Sequence, residues 1–479
     1  MTVESRDRTA ERISEVEAHS AALPKQLGLA DLALIQILYV VGSAWVGTAA
    51  KLGTGHVYLW LAAIALYYLP QAAVVIYLNR LMPLEGGLYQ WATVGFGEFT
   101  GFLVAWNQWA YAILVMAGFA VVIATNLSYL IGPFAAWLTG VAWYTPIISF
   151  ISIAGITMVT LFGQQVGKWI QNAGGASQLL TYTALIAIPF IALHRGSLGS
   201  YHPLAASVPP ITPLNLNLFG KMALGALSGF EYVAIMAGET RNPARSIGRS
   251  VIIAVPIIAV MFIMGTSSVV ALVPRDHIDL VSPIPQTLTI GFQGMGFARL
   301  IVPVLIALLL LRQLGSMTLL CAGNARLPMV AGWDGLLPGW FTRMHPTFRT
   351  PSNSILLVGA LTLCICLAGQ MGVGVQEAFQ LLENAAGIFY AFTYLALFAI
   401  PIFAARRLSE PPPLWLRISA ACGFAVTLLY IILSVFPIID VPSWKIFAAK
   451  IIVVLVGANL LGIGIYFFGR LRAGRAAAP

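Results

Sequence analysis

Charge is what this sequence most lacks. Asp, Glu, Lys and Arg make up 9% of its 479 residues, against roughly 25% in a soluble globular chain. A chain so poor in charge cannot solvate its surface with water, so its solvent is lipid. Histidine is scarce as well: there are six, none in the middle of an apolar run. That leaves no mid-membrane pair for haem or quinone-type electron transfer. The four cysteines, Cys321, Cys364, Cys366 and Cys422, lie within apolar runs without metal-ligand spacing, and packing is the role this placement suggests. There is no Walker-type phosphate loop and no nucleophile–base constellation. An enzyme is not expected, nor a resident cofactor or metal.

What the chain does have is apolar length. Twelve runs approach the twenty or so residues that a helix needs to cross the hydrocarbon core. They are 32–50, 57–79, 99–131, 144–166, 173–193, 216–238, 250–273, 297–325, 353–370, 375–404, 415–437 and 444–468. The third, eighth and tenth are long enough to require tilt. The fold expected is an all-α integral membrane protein of about twelve spans. Short connections between the runs argue for one membrane domain without a soluble module.

The basic residues orient it. Eighteen of the 26 Lys and Arg fall on one set of loops and tails, together with both termini. Seven fall on the other, Lys221 counted among them, and Arg312 stays inside a span. The positive-inside rule then puts both termini in the cytoplasm. The net charge of +9 is thus an orientation signal and not a nucleic-acid footprint. Residues 1–30 carry charge but no apolar core with a cleavage site, so they read as a cytoplasmic tail and not as a signal peptide. The compact loops fit a bacterial cytoplasmic membrane.

Two spans look interrupted. The first contains Gly42-Ser43-Ala44 and Gly47, the sixth Gly225 and Ser228-Gly229-Phe230. Glycine costs about 1 kcal/mol in a helix interior relative to alanine, so such clusters mark a turn of unwound backbone or, alternatively, close helix packing. The two spans occupy corresponding places if spans 1–5 and 6–10 form two halves, and they run in opposite directions. That is the pattern of inverted-topology transporters, with the site between the breaks. The N-terminal end of a half-helix suits a carboxylate, and free carbonyls at the other break suit an ammonium. A zwitterionic amino acid has both.

The residues that follow carry a resemblance. Gly229-Phe230-Glu231 leads to Glu239, Asn242 and Pro243; Pro83, Gly86, Gly87 and Tyr89 follow the second run; Arg326 precedes Asp334, Gly335 and Pro338. With Gly42-Ser43-Ala44, these four motifs resemble the signatures of the amino acid–polyamine–organocation transporters, in the same order across roughly 28–410. The resemblance implies a five-plus-five inverted-repeat core like that of the leucine transporter, with helices one and six discontinuous. The layout is then a tail over 1–30, the core over 31–410, and two further helices with a short tail over 411–479. It implies alternating access for amino acids, with polyamines or other organic amines as the rival solutes.

By this resemblance the substrate carboxylate meets backbone N–H groups near Ser43 and Ala44, and the ammonium meets carbonyls around Val40 and Ser228. Gly42, Gly225, Gly229 and Phe230 belong to the same breaks. Trp106 and Asn107, Ser316 to Cys321, and Glu383 with Asn384 are candidates for the side-chain pocket. Three departures stand out. Ala44 replaces the motif's last glycine. Gly225 stands where relatives often carry an aromatic gate, so either a larger solute fits or the gate comes from elsewhere. A lysine that sodium-independent relatives often carry along helix five is replaced by Thr183 or Ala184, leaving the coupling ion, H+ or Na+, open.

Ionisable groups within spans are costly and are functional candidates. Glu231 is the candidate for proton coupling; the alternative is a carboxyl that only ties the broken helix to a neighbour. Arg312 and Glu383 lie deep as well, for a structural ion pair or for binding. Glu239, Arg241, Arg326 and Asp334 lie at the cytoplasmic helix ends, as a solvated face or as a gate of salt bridges that break when the site opens inward. A channel or an energy-converting subunit would show a filter motif or a relay of mid-membrane groups, and neither is evident.

Overall fold

Helix covers almost everything in the computed structural model, which describes residues 25–476 apart from 85, 297, 334–336 and 372–373. Among the described residues, a single parallel bridge between Leu27 and Thr240 is the one strand-type pairing. Eleven helices among the described residues are long and apolar enough to cross a bilayer, and a bent helix pair makes the twelfth. That bent pair, Leu29–Val40 with Ser43–Ala50, is the first span. The second to fifth spans are Gly55–Leu81, Glu98–Ile131, Tyr144–Leu161 and Gln164–His194. The sixth runs Pro213–Glu239, the seventh Pro243–Leu272, the eighth Ala298–Trp333 and the ninth Ser352–Gly369. The tenth to twelfth are Val375–Phe403, Leu414–Leu433 and Trp444–Ala476.

The halves repeat their order of elements. In each, a broken span and an unbroken one lead to a short helix before the third span of the set: Leu88–Phe96 in one half, Pro283–Gly291 in the other. The third span has 34 residues, about 50 Å at 1.5 Å per residue. That exceeds a hydrocarbon core of about 30 Å, so it crosses at a tilt or projects beyond it.

Enclosure is uneven, and the unevenness locates the centre. In the most apolar window of the sixth span 94% of the residues are buried, against 22% for the twelfth. The sixth span is walled in by protein, where irregular backbone is tolerated. It uses that freedom: helix Pro213–Gly220 widens into a π-turn over Lys221–Ala226, opens at Ser228 and Gly229, and resumes as a tight 3₁₀ helix, Phe230–Glu239. One expectation is overturned here. Lys221, assigned to a loop by its charge, lies fully buried within this span.

Candidate functional site

Both breaks fall where glycine was clustered. The first helix ends at Val40 and restarts at Ser43, with a 43° bend between its halves. At the second break Gly229 sits at φ +134°, a conformation reserved for glycine. The other two glycines serve packing. Gly47 lies against Pro283, and Gly225 against the indole of Trp45. The alternatives left open by the sequence are thus both realised, each by different residues.

The freed backbone groups of the sixth span are met by side chains from three others. The Gly229 N–H donates to the Tyr394 hydroxyl (2.8 Å), and the Gln71 carboxamide donates to the Leu227 carbonyl (2.8 Å) while accepting from the Phe230 N–H (3.2 Å). Gln36 donates to the Phe230 carbonyl (3.4 Å), and the Tyr67 and Ser228 hydroxyls share a hydrogen bond of 2.6 Å. Glu231 completes the set. Its two carboxylate oxygens accept from Tyr390 and Tyr394, both on the tenth span. Tyr390 also lines a cavity and connects Glu231 to it.

That cavity, of about 80 Å³, lies between the first, third, sixth, eighth and tenth spans. Its wall includes Val40, Gly42, Ser43, Ala44, Gly225, Ser228 and Glu383, so these seven expected residues are brought together. Helix Ser43–Ala50 begins there without a side-chain cap, and its first N–H groups have no intrahelical partner. The helix N-terminus therefore opens onto the cavity as an anion-binding end. Tyr39, Tyr111 and Tyr390 supply aromatic wall, with the rings of Tyr111 and Tyr390 stacked at 3.9 Å.

Five expected residues lie outside this wall. Trp106 donates to the Ala458 carbonyl (2.9 Å) and Asn107 to Asn459 (2.9 Å), which fixes both against the twelfth span. The third span's cavity face is instead Tyr111, Leu114, Val115 and Gly118. Trp106 lies on another side of the helix from this face, while Asn107, four residues before Tyr111, shares its side one turn nearer the helix start; a sequence that is apolar all round does not say which side looks inward. Phe230 stacks on Tyr68 at 4.9 Å, and Asn384 accepts from the buried Lys221. Gly229 likewise borders Tyr39 and Val40 behind the cavity wall. Along the eighth span the cavity takes Arg312 and Gln313 in place of Ser316 to Cys321.

Arg312 forms no salt bridge among the described residues. Its guanidinium donates to the Val41 carbonyl (2.7 Å) at the first break and to Gln313 (2.6 Å). Gln178 adds a second donor to the same carbonyl (3.1 Å), and the Tyr182 hydroxyl donates to the Gly42 carbonyl (3.3 Å). Thr183, by contrast, turns its hydroxyl to the Leu179 carbonyl of its own helix. A positive charge does stand at the break, carried by the eighth span and not the fifth. The lone arginine in an apolar run was visible in the sequence; its partner across 271 positions was not.

At the end of the bundle that holds the termini, Arg326 and Glu239 form an ion pair with side chains only 8% and 6% exposed. Arg241 is exposed and donates to the Lys25 carbonyl (3.2 Å), and Asp334 lies outside the described residues. A tie that the sequence did not suggest is Lys168 to Asp31 (2.8 Å), which joins the fifth span to the start of the first.

The amino acid permease family profile matches residues 27–458. A probable agmatine/putrescine antiporter, AguD of Lactococcus lactis, is 26% identical over 430 residues, covering 85% of each chain. The human b(0,+)-type amino acid transporter 1 is 21% identical over 440 residues, covering 90% of this chain and 86% of its own. A crystal structure of MhsT in complex with L-phenylalanine superposes with a TM-score of 0.64 at 12% identity, over 86% of this chain and 98% of that one.

Proposed function

The chain belongs to the amino acid permease family, and from that premise we propose that it is a secondary transporter whose solute is an α-amino acid bound between the two broken spans. One observation carries this reading: the uncapped N-terminus of Ser43–Ala50 and the wall formed by Val40, Gly225 and Ser228 border one cavity. A carboxylate fits the N–H groups of Ser43 and Ala44. An ammonium fits the Ser228 carbonyl and the remaining lone pair of the Val40 carbonyl, which already accepts from the Gly42 N–H (2.9 Å), and the solute's side chain projects toward the third and tenth spans. Amines are the second reading, favoured by the name of the Lactococcus lactis relative.

Transport by this reading needs no sodium at the first break. The carbonyls that unwound backbone offers to a cation already accept from Arg312, Gln178 and Tyr182. Exchange of one solute for another, or coupling to protons, remains. Glu231 is the proton candidate, joined to the cavity through Tyr390. The pair Arg326–Glu239 is the proposed gate at the terminus end. By this reading that end faces the cytoplasm, which the basic-residue bias supports even without Lys221, since eighteen charges then face six.

The test is thermal-shift screening of purified protein against amino acids and amines, then uptake into proteoliposomes with sodium or choline as the cation. At least one α-amino acid is expected to stabilise the protein and to move, equally in both salts. If none of the panel binds or moves, the reading is wrong.

A further inference from the structure

The cavity has an acidic end that binding of an α-amino and α-carboxyl group leaves unused. Glu383 lies in its wall, and the Oε2 atom is shielded from solvent without a hydrogen-bond partner. No cation stands within ion-pair distance of Glu383 among the described residues. Lys221, the nearest candidate, is fully buried and gives its ammonium to Asn384 instead. A carboxylate oxygen buried without a donor costs free energy, and one facing a cavity is completed by whatever enters it.

A second observation points the same way. At the end of the bundle opposite the termini, a wide polar vestibule is lined by Asp276, Asp279, Glu377 and Asp440 against Lys51 and Arg275. Lys450, 3.7 Å from Glu377, adds a third positive charge, and the mouth stays acidic by one. Such a field raises the local concentration of cations. Glu377 and the cavity-lining Phe379 and Glu383 follow one another on the tenth span, so the acidic mouth leads toward the acidic end of the cavity.

Resting on the reading of an amino-acid-binding cavity between the breaks, we propose that Glu383 is the recognition site for a second cationic group on the solute. The chemistry it fits is an ammonium or guanidinium at the end of a short alkyl chain. Lys221 balances the carboxylate at longer range while the cavity is empty, and its bond to Asn384 keeps it from blocking the site. A dibasic amino acid satisfies Glu383 and the Ser43–Ala44 N–H groups together, whereas a diamine satisfies Glu383 and the carbonyls alone.

The experiment compares lysine with norleucine, which has the same chain without the terminal ammonium, in thermal-shift titration and in competition for uptake. Arginine, putrescine and agmatine form the other arms. Wild-type protein is expected to prefer lysine over norleucine by roughly ten- to a hundred-fold, the worth of a hydrogen bond to a charged group. Glu383→Gln is expected to erase that preference while keeping norleucine, and Glu383→Asp to restore part of it. Equal affinity for lysine and norleucine in the wild type overturns the proposal without any variant, and so does an equal loss of both in Glu383→Gln. Binding of diamines but not lysine assigns the site to amines and keeps Glu383 as the counter-charge. If no solute of any kind binds the wild type, it is the transporter reading that fails.

Discussion

The indole of Trp45 occupies the space that a side chain on Gly225 would need. The first and sixth spans thus meet through an aromatic ring on one and an absence on the other, and both residues line the cavity. The aromatic that Gly225 does not supply to the sixth span comes from the first. Gly42 makes room for the same ring.

Exchanging the two residues tests this relationship. Gly225→Phe is expected to reduce transport by an order of magnitude or more, because overpacking a filled site costs about 1–3 kcal/mol. Trp45→Ala is expected to admit bulkier solutes. The double variant, with the ring moved across, is expected to recover transport above either single variant. Additive losses measured by uptake would show that the two rings are not interchangeable.

Arg312 makes a prediction about ions. Uptake by the wild type is expected to be the same in sodium and in choline. Arg312→Ala leaves the Val41 carbonyl short of its main donor, at a cost of about 1–3 kcal/mol, and melting temperature is expected to fall accordingly. A sodium requirement in the wild type would contradict the role given to this guanidinium.

Glu231 and Tyr390 are expected to act together. Glu231→Gln and Tyr390→Phe each cut the link between the buried carboxyl and the cavity, so each is expected to flatten the pH dependence of uptake in proteoliposomes. A uniform loss of rate and of melting temperature, with the pH profile unchanged, would make Glu231 a tie between the sixth and tenth spans and nothing more.

The pair Arg326–Glu239 is expected to behave as a latch. Removing either charge breaks a buried pair, which typically costs about 3–5 kcal/mol. Arg326→Gln and Glu239→Gln should therefore raise unpaired efflux from loaded vesicles, and the charge-reversed double variant should lower it again. Efflux unaffected by all three variants would remove the pair from gating.

The sequence by itself determined that this is a helical membrane protein with two broken spans. Apolar length, scarce charge and glycine clustering are local properties, written within a window of about twenty residues. The breaks at Gly42 and at Ser228–Gly229 were legible for that reason, although the expected first break ran on through Ser43 and Ala44, which begin the next helix; the site roles of Ser43, Ala44 and Ser228 came only from the family resemblance. Only the tertiary structure decided which faces of the other spans look inward. A helix that is apolar on every side carries no periodic mark of its buried face, so Trp106 turned to the twelfth span and Tyr111 to the cavity. Pairings across the chain were equally hidden. Arg312 meets Val41 and Lys221 meets Asn384 because folding brings distant backbone and side chains together where water is absent, and each buried polar group must then find a partner within reach.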